Sequence, residues 1–202
     1  MSAGAVAGGI ALAAAAAAWA QGLNPAMIVR ALTTFRTDGD TVPARFNVRD
    51  LDGIQVIVDY AHNAAALAAL GQAFGALGHR RTVMALTLPG DRRDDDLVAS
   101  LQATLPYVDE YVLYEDADLR GRPRGEVIEL LERRIPPDVP RTRAVDDSDA
   151  ARRAWSRVRP GDRLVFIVDQ AETSIDLFDR LAHEAHDDAA CETPIRSEVV
   201  VS

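Results

Sequence analysis

The stretch "VIVDYAHNAAAL", residues 56–67, decides how the rest of the chain is read. An apolar, strand-like run ends in Asp59, and an alanine-rich run of helical character begins four residues later. Between them stand Tyr60, His62 and Asn63. Two readings are open at such a junction. In one, Asn63 caps the helix by accepting an N–H that the first helical turn leaves unpaired, Asp59 tightens the turn and His62 is solvated. In the other, the junction holds a ligand. Asp59 can accept from ribose hydroxyls, His62 can stack on a base or donate to it, and a helix start offers free N–H groups. Spacing alone does not separate the two.

Working outward, the pattern from residue 45 onward is an alternation. "RFNV" and "GIQVIVDY" read as two strands around the hairpin-type turn "RDLDG". "NAAALAALGQAFGALG" reads as a helix closed by Gly78, and "RTVMALTL" as a buried strand. "RDDDLVASLQATL" is a helix whose acidic first turn suits the helix dipole. "EYVLYE", "RTRAV" and "DRLVFIVD" read as strands. "GEVIELLERRI", "DSDAARRAWSRV" and "ETSIDLFDRLAHEA" read as helices. The strands are continuous apolar runs, as expected when both faces of a sheet are covered. Strands alternating with helices predict an α/β fold: a Rossmann-like, mostly parallel sheet flanked by helices. Ligands of such sheets bind beyond the C-terminal ends of the strands, which is where Asp59, His62 and Asn63 fall.

Upstream, "AGAVAGGIALAAAAAAWA" (residues 3–20) is uncharged and dominated by alanine, the best helix former. No Arg precedes it and few of its side chains are large, so it reads as a buried helix rather than a leader or a membrane span. Gly22 ends it. Asn24 and Pro25 then start a second helix as N-cap and N1 residues, with Ile28, Leu32 and Phe35 at helical spacing. "RTDGDTVPA" is a polar linker. Trp19 and Trp155, on helices, are expected in the core. The tail after Asp187 is polar and expected to be loose.

Composition narrows the function classes. The 202 residues are 48 % hydrophobic and 26 % charged, enough for one folded domain with additions. A net charge of −9 opposes binding to nucleic acid, and no membrane partner is indicated. All 22 basic residues are Arg, so neither a Schiff-base Lys nor a P-loop Lys exists in the chain. The single Cys, Cys191, excludes an internal disulfide framework and suits a cytoplasmic setting. Four scattered His and one Cys point to no metal site. His79, His183 and His186 read as surface residues.

Two further segments follow predicted strands and fall on the ligand side of the sheet. "PGDRRDDD" (89–96) presents Asp91, Arg92 and Arg93, which can touch an acceptor carboxylate or phosphate, or form a helix start with local ion pairs. "DLRGRPRGE" (118–126) carries Arg120, Arg122 and Arg124 in a Gly/Pro loop. These can bind phosphate or an acidic polymer, or pair with the acids beside them.

Taken together these pieces resemble a known family. "VIVDYAHNAAAL" is similar to the D-[YG]-A-H-N-P nucleotide motif of the Mur ligase C-terminal domain. "PARFNV" resembles the P-G-R-[FM] segment that enters that domain, and "NPAMIVRALTTF" the helix before it. "GDRRDDDLV" with "LYEDADLRGRPRGEVIELL" resembles the cyanophycin synthetase branch more than the peptidoglycan or folate branches. The resemblance spans roughly residues 1–185.

The resemblance implies an ATP-dependent acid–amino acid ligase. In that chemistry a carboxylate is phosphorylated to an acyl phosphate, which an amine attacks, with Mg²⁺ offsetting phosphate charge. In the cyanophycin branch, Arg is joined to an aspartate side chain of poly-aspartate. By position, Asp59 matches the residue near ribose and adenine, His62 and Asn63 match the pair at the adenine, and Arg45 matches the catalytic Arg that reaches the phosphates. Asp91, Arg92, Arg93, Arg120 and Arg122 become substrate or phosphate contacts. Ala64 stands where the motif has Pro, and Ala44 where it has Gly. The implied organisation is a helical remnant of the family's central domain (1–38), a linker (39–48), the C-terminal domain (49–187) and a flexible tail (188–202). No G-x-x-x-x-G-K-[ST] occurs, so the resemblance implies that phosphate cradling and most Mg²⁺ ligands belong to a ligase half absent from this chain, which alone should not complete a catalytic cycle. The alternatives are a piece of another Mur ligase, acting on a cell-wall precursor or folate, and a non-catalytic nucleotide-binding or docking module. In the docking case the alanine-rich helix would recruit that other half or a second copy.

Overall fold

The structure, a computed structural model, describes residues 3–35, 42–169 and 177–183. The tail, His186, Cys191 and residues 36–41 lie outside them. Two helices come first: α1 (Ala3–Ala20) and α2 (Pro25–Thr34). Asn24 caps α2 through Oδ1, which accepts from Ala26 N–H at 2.8 Å. A six-stranded sheet follows, made of β1 (Asn47–Leu51), β2 (Ile54–Asp59), β3 (Thr82–Leu86), β4 (Glu110–Leu113), β5 (Arg141–Arg143) and β6 (Arg163–Ile167). The connecting helices are α3 (Ala64–Ala76), α4 (Asp94–Thr104), α5 (Glu126–Glu132) and α6 (Asp147–Trp155). Residues 177–183 form a last helical stretch.

The strand order is β1-β2-β6-β3-β4-β5. Only β1 runs antiparallel, hairpin-paired with β2; every other pairing is parallel. The α/β fold and the mostly parallel sheet expected from the alternation are therefore present. Chain order did not reveal that β6 inserts between β2 and β3. That insertion puts the end of β6 beside the end of β2, with Asp59 in register with Ile167.

Alternate side chains of the strands enter two cores. On one face Ile57, Met84, Leu86, Tyr111 and Val165 pack under Leu67, Leu70 and Phe74 of α3, Leu97 and Leu101 of α4, and Val127 and Leu131 of α5. On the other, Val56, Val58, Ala85, Val112 and Phe166 pack under Ala150, Ala151 and Ala154 of α6 and under Phe178 and Leu181. Every residue of β3 and β6 is buried, which explains their unbroken apolar spelling.

The N-terminal helices depart from expectation. Along residues 11–20 no side chain is buried. Trp19 is 69 % exposed and Leu12 72 %, against the core placement expected for Trp19. Helix α1 is apolar on all sides, and α2 and α3, the elements it contacts, cover only part of it. No described helix is long and apolar enough to cross a membrane. Trp155 does pack on the second core, 6.4 Å from the Phe178 ring.

Candidate functional site

The C-terminal ends of β2 and β6 bring together residues more than a hundred positions apart. His62, 8 % exposed, places Nδ1 3.3 Å from Asp169 Oδ1. Arg120 reaches the same carboxylate with one terminal nitrogen, at 2.8 Å from Oδ1 and 2.7 Å from Oδ2. The Tyr60 hydroxyl lies 3.5 Å from Asp169 Oδ1, and the Tyr60 and His62 rings are 4.2 Å apart. Arg45 is exposed and stacks over Tyr60, with 4.8 Å from Cζ to the ring centroid. Asp91 extends the charge network, with contacts of 3.8 Å to both Arg120 and Arg92.

Asp59 sits one turn away. Its Oδ2 accepts from Phe46 N–H at 2.7 Å, tying β2 to the incoming chain. That segment is bent: Ala44 and Phe46 both have φ of 52°, a left-handed conformation unfavourable by ~1–2 kcal/mol for an L-residue. Ala44, where the related motif has Gly, thus adopts the conformation that Gly takes without cost. Its side chain is fully buried.

Titration follows from these surroundings. Burial pushes the Asp59 carboxyl up, against the Phe46 N–H bond and the Arg45 charge. Burial also holds the His62 imidazole below its ordinary value, against the pull of Asp169. His62 is then neutral at pH 7. With Nδ1–H donated to the Val168 carbonyl beside Asp169, Nε2 is an acceptor, and it is buried without a partner among the described residues.

The residues singled out from sequence divide into two groups. Asp59, Tyr60, His62, Arg45, Asp91, Arg92 and Arg120 converge on the strand ends. Asn63 takes the capping role, with Oδ1 accepting from Ala66 N–H at 2.9 Å. Arg93 is turned to solvent and pairs with Asp96 on its own helix. Arg122 ties two loops together, donating to Gly90 O (2.7 Å) and Arg92 O (2.6 Å) and pairing with Asp94 and Glu126. The loops meet so closely that a Cβ on Gly90 would lie 2.3 Å from Leu119 O. Sequence reasoning missed Asp169. The signal for Asp169 was present: "FIVD" ends a strand in a carboxylate just as "VIVD" does. Among the described residues, no group of three His, Cys, Asp or Glu could hold a metal ion.

Residues 44–167 match the family model described as "Mur ligase, glutamate ligase domain", and the chain belongs to that family. Among curated proteins it is similar to cyanophycin synthetase of Nostoc sp. (strain PCC 7120 / SAG 25.82 / UTEX 2576), 32 % identical over 164 residues that make up 80 % of this chain and 18 % of that one. The cyanophycin synthetase of Synechocystis sp. (strain ATCC 27184 / PCC 6803 / Kazusa) is 32 % identical over 83 % of this chain and 19 % of its own length. The chain thus spans about a fifth of these relatives. Two solved structures share the fold: a UDP-N-acetylmuramoyl-L-alanyl-D-glutamate–2,6-diaminopimelate ligase (TM-score 0.60, 19 % identity, 87 % of this chain and 38 % of that one) and a Mycobacterium tuberculosis folylpolyglutamate synthase complexed with ADP (0.59, 23 %, 82 % and 35 %).

Proposed function

We propose that the chain is the C-terminal, nucleotide-closing part of an ATP-dependent acid–amino acid ligase of the cyanophycin synthetase kind, joining Arg to aspartate side chains through an acyl phosphate. The observation that carries this reading is the convergence of Asp59, Tyr60, His62 and Arg45 at the ends of β2 and β6, within the segment matched by the family model. These residues suit a nucleoside. Asp59 is a half-buried carboxylate whose pKa is raised by burial despite its backbone donors and the Arg45 charge, and it can accept from ribose hydroxyls. The Tyr60 and His62 rings offer a stacking surface, and the neutral His62 Nε2 can accept an exocyclic N–H once Tyr60 moves aside.

Bound ATP would supply the phosphoryl group. Arg45 is exposed and can swing from Tyr60 to phosphate, where a fixed guanidinium stabilises developing negative charge. Arg92 and Arg120 border the same space. Among the described residues no group of three His, Cys, Asp or Glu could hold a metal ion by itself, and the roles read for this chain's own residues are binding, orientation and charge stabilisation. We further read α1 and α2 as belonging to a preceding helical unit, because their apolar surfaces are left uncovered here.

Titrating the ¹⁵N-labelled chain with ATP and adenosine tests the nucleotide reading. Shifts should concentrate at residues 45–46 and 59–63, and Asp59→Ala should abolish them. A chimera tests ligation: a cyanophycin synthetase with residues 44–169 in place of its matched segment should still incorporate Arg, and should lose that with His62→Ala. Shifts elsewhere, or full turnover in the His62 variant, would reject the assignment.

A further inference from the structure

At the end of the sheet opposite the His62 cluster, β6 begins with a buried charge. Arg163 is only 2 % exposed, and its Cζ lies 4.3 Å from the centroid of the Phe74 ring of α3. Its Nε donates to Gln55 Oε1 at 2.7 Å and its Nη2 to Gly78 O at 2.9 Å. Both acceptors are neutral. Among the described residues Nη1 has no hydrogen-bond partner, and unlike His62 Nε2 it is not sealed from solvent. No carboxylate among the described residues pairs with this guanidinium. The charged group that acts on it is Arg80, another cation. Burial lowers the Arg163 pKa and Arg80 lowers it further, yet a guanidinium stays protonated at pH 7. Neighbouring Arg81 shows the ordinary arrangement: it is far more exposed and is paired with both Glu110 and Asp162. The surface cation is thus doubly neutralised while the buried one has no counter-charge, the reverse of what desolvation favours.

Arg163 lies on the wall of a cavity of about 360 Å³, bounded by the C-terminal half of α3, the loop after α4 and the start of β3. Phe74 and Gly78, the residues its guanidinium stacks on and bonds to, line the same cavity, so the charged end of the side chain reaches it. Phe74, Leu105 and Val108 give the cavity an apolar wall, and Arg80 and exposed His79 add polar groups. Asp109 is the carboxylate on the wall, and its Oδ2 is taken by Thr82 N–H at 2.7 Å. Two guanidiniums against one carboxylate leave a single positive charge when His79 is neutral. The volume falls within the ~300–1,000 Å³ usual for small-molecule sites. The position is separate from the nucleotide cluster. Ile167, in register with Asp59, is four residues further along β6, ~13 Å away at ~3.3 Å per residue.

We propose that this cavity is a binding site for a small organic monocarboxylate, its head on Arg163 Nη1 and Arg80 and its body on the Phe74–Leu105–Val108 wall. One net positive charge suits a monoanion better than a phosphate dianion, which Asp109 opposes. A neutral apolar ligand would leave the guanidinium without a counter-charge, and a bare inorganic anion would leave the apolar wall uncovered. The inference does not rest on the nucleotide reading: the two sites lie at opposite ends of the sheet and can be filled together.

The test is titration of the ¹⁵N-labelled full chain with benzoate, benzamide, acetate and inorganic phosphate at constant ionic strength. Benzoate should shift amides within residues 74–80 and 105–109, which hold most of the cavity lining. Benzamide, the neutral isostere, should bind at least about tenfold more weakly. Acetate, which lacks the apolar body, should also bind about tenfold more weakly. Arg163→Gln removes the charge and should weaken benzoate about tenfold or more, with the adenosine-induced shifts intact. Should that variant unfold, Arg80→Gln, at a half-buried position, should still weaken benzoate about two- to fivefold. Equal binding of benzamide and benzoate, tighter binding of inorganic phosphate, shifts away from the cavity, or unchanged affinity in every variant that folds would overturn the proposal. Benzoate binding without any adenosine response would uphold the cavity and reject the nucleotide reading; the opposite pattern would do the reverse.

Discussion

Asp59 and Asp169 end neighbouring parallel strands, yet their surroundings treat the two carboxylates in opposite ways. Asp169 is saturated: Arg120 donates to both of its oxygens, and His62 and Tyr60 stand at one of them. Asp59 has a bond from Phe46 N–H, a second backbone donor at Ala61 and an exposed Arg nearby, and burial raises its pKa despite them. One strand end is therefore closed by its own side chains, and its neighbour keeps hydrogen-bonding capacity in reserve. The difference follows from position. The loop carrying Arg120, after β4, reaches Asp169 beyond the end of β6, while β2 is followed at once by the turn into α3. Arg120 is held there at a φ of 49°, a strained conformation that its ion pair with Asp169 compensates.

The largest expected effect comes from breaking the saturated end. Asp169→Ala leaves Arg120 strained, with its close ion pair gone and the 3.8 Å contact to Asp91 remaining, and removes the carboxylate beside His62 Nδ1. Removing one member of a buried pair costs ~3–5 kcal/mol; because Arg120 is 28 % exposed, water recovers part of this, and a loss of about 2–3 kcal/mol is expected. Urea unfolding would measure it as a lower midpoint at unchanged slope. A loss under about 0.5 kcal/mol would mean that the two strand ends are equivalent after all.

A smaller effect concerns pH. The folded His62 pKa lies below the ordinary 6.5 because of burial, so below pH 6.5 the unfolded chain binds more protons than the folded one. Stability contributed by neutral His62 is thus present above pH 6.5 and lost as pH falls through 6.5 toward the depressed folded value. His62→Gln can still donate to Asp169 but does not titrate. Its stability should fall less than that of the parent between pH 7.5 and pH 5, as followed by thermal unfolding at each pH. A parallel decline in both proteins would place the imidazole in water, outside the cluster.

Much of this architecture was readable because local chemistry and tertiary demand agree. The continuous apolar runs of β3 and β6 state that both faces are covered. Asn24, Asn63, Gly22 and Gly78 marked helix ends correctly, since a cap or a left-handed φ is a local requirement. The site was half readable. Asp59 and His62 stand beside a helix cap that gives their turn away. Asp169 could not be assigned, because its meaning depends on β6 entering between β2 and β3, a non-local choice that strand spelling does not encode. Arg93 and Arg122 were spelled like phosphate ligands, but Arg93 pairs along its own helix and Arg122 binds two loops together.

The finest test of the contrast is Asp59→Asn. At pH 7 the parent holds a partly buried carboxylate whose folded pKa lies above 3.8, so ionisation opposes folding in the range between the unfolded and folded values and above it. Asn removes that opposition while its amide oxygen can still accept from Phe46 N–H. The variant should therefore be slightly more stable at pH 7, and the gain should vanish as pH falls through the raised pKa and the parent carboxyl becomes neutral too. Adenosine binding should move the other way and weaken about fivefold, because a ribose hydroxyl donates more strongly to a carboxylate than to an amide. Stability and binding moving in opposite directions would identify Asp59 as a group kept under-satisfied for a ligand. A variant less stable at pH 7 would instead mean that the carboxylate's main task is to clamp the strained Ala44–Phe46 bend, and the reserve attributed to the β2 end would be structural.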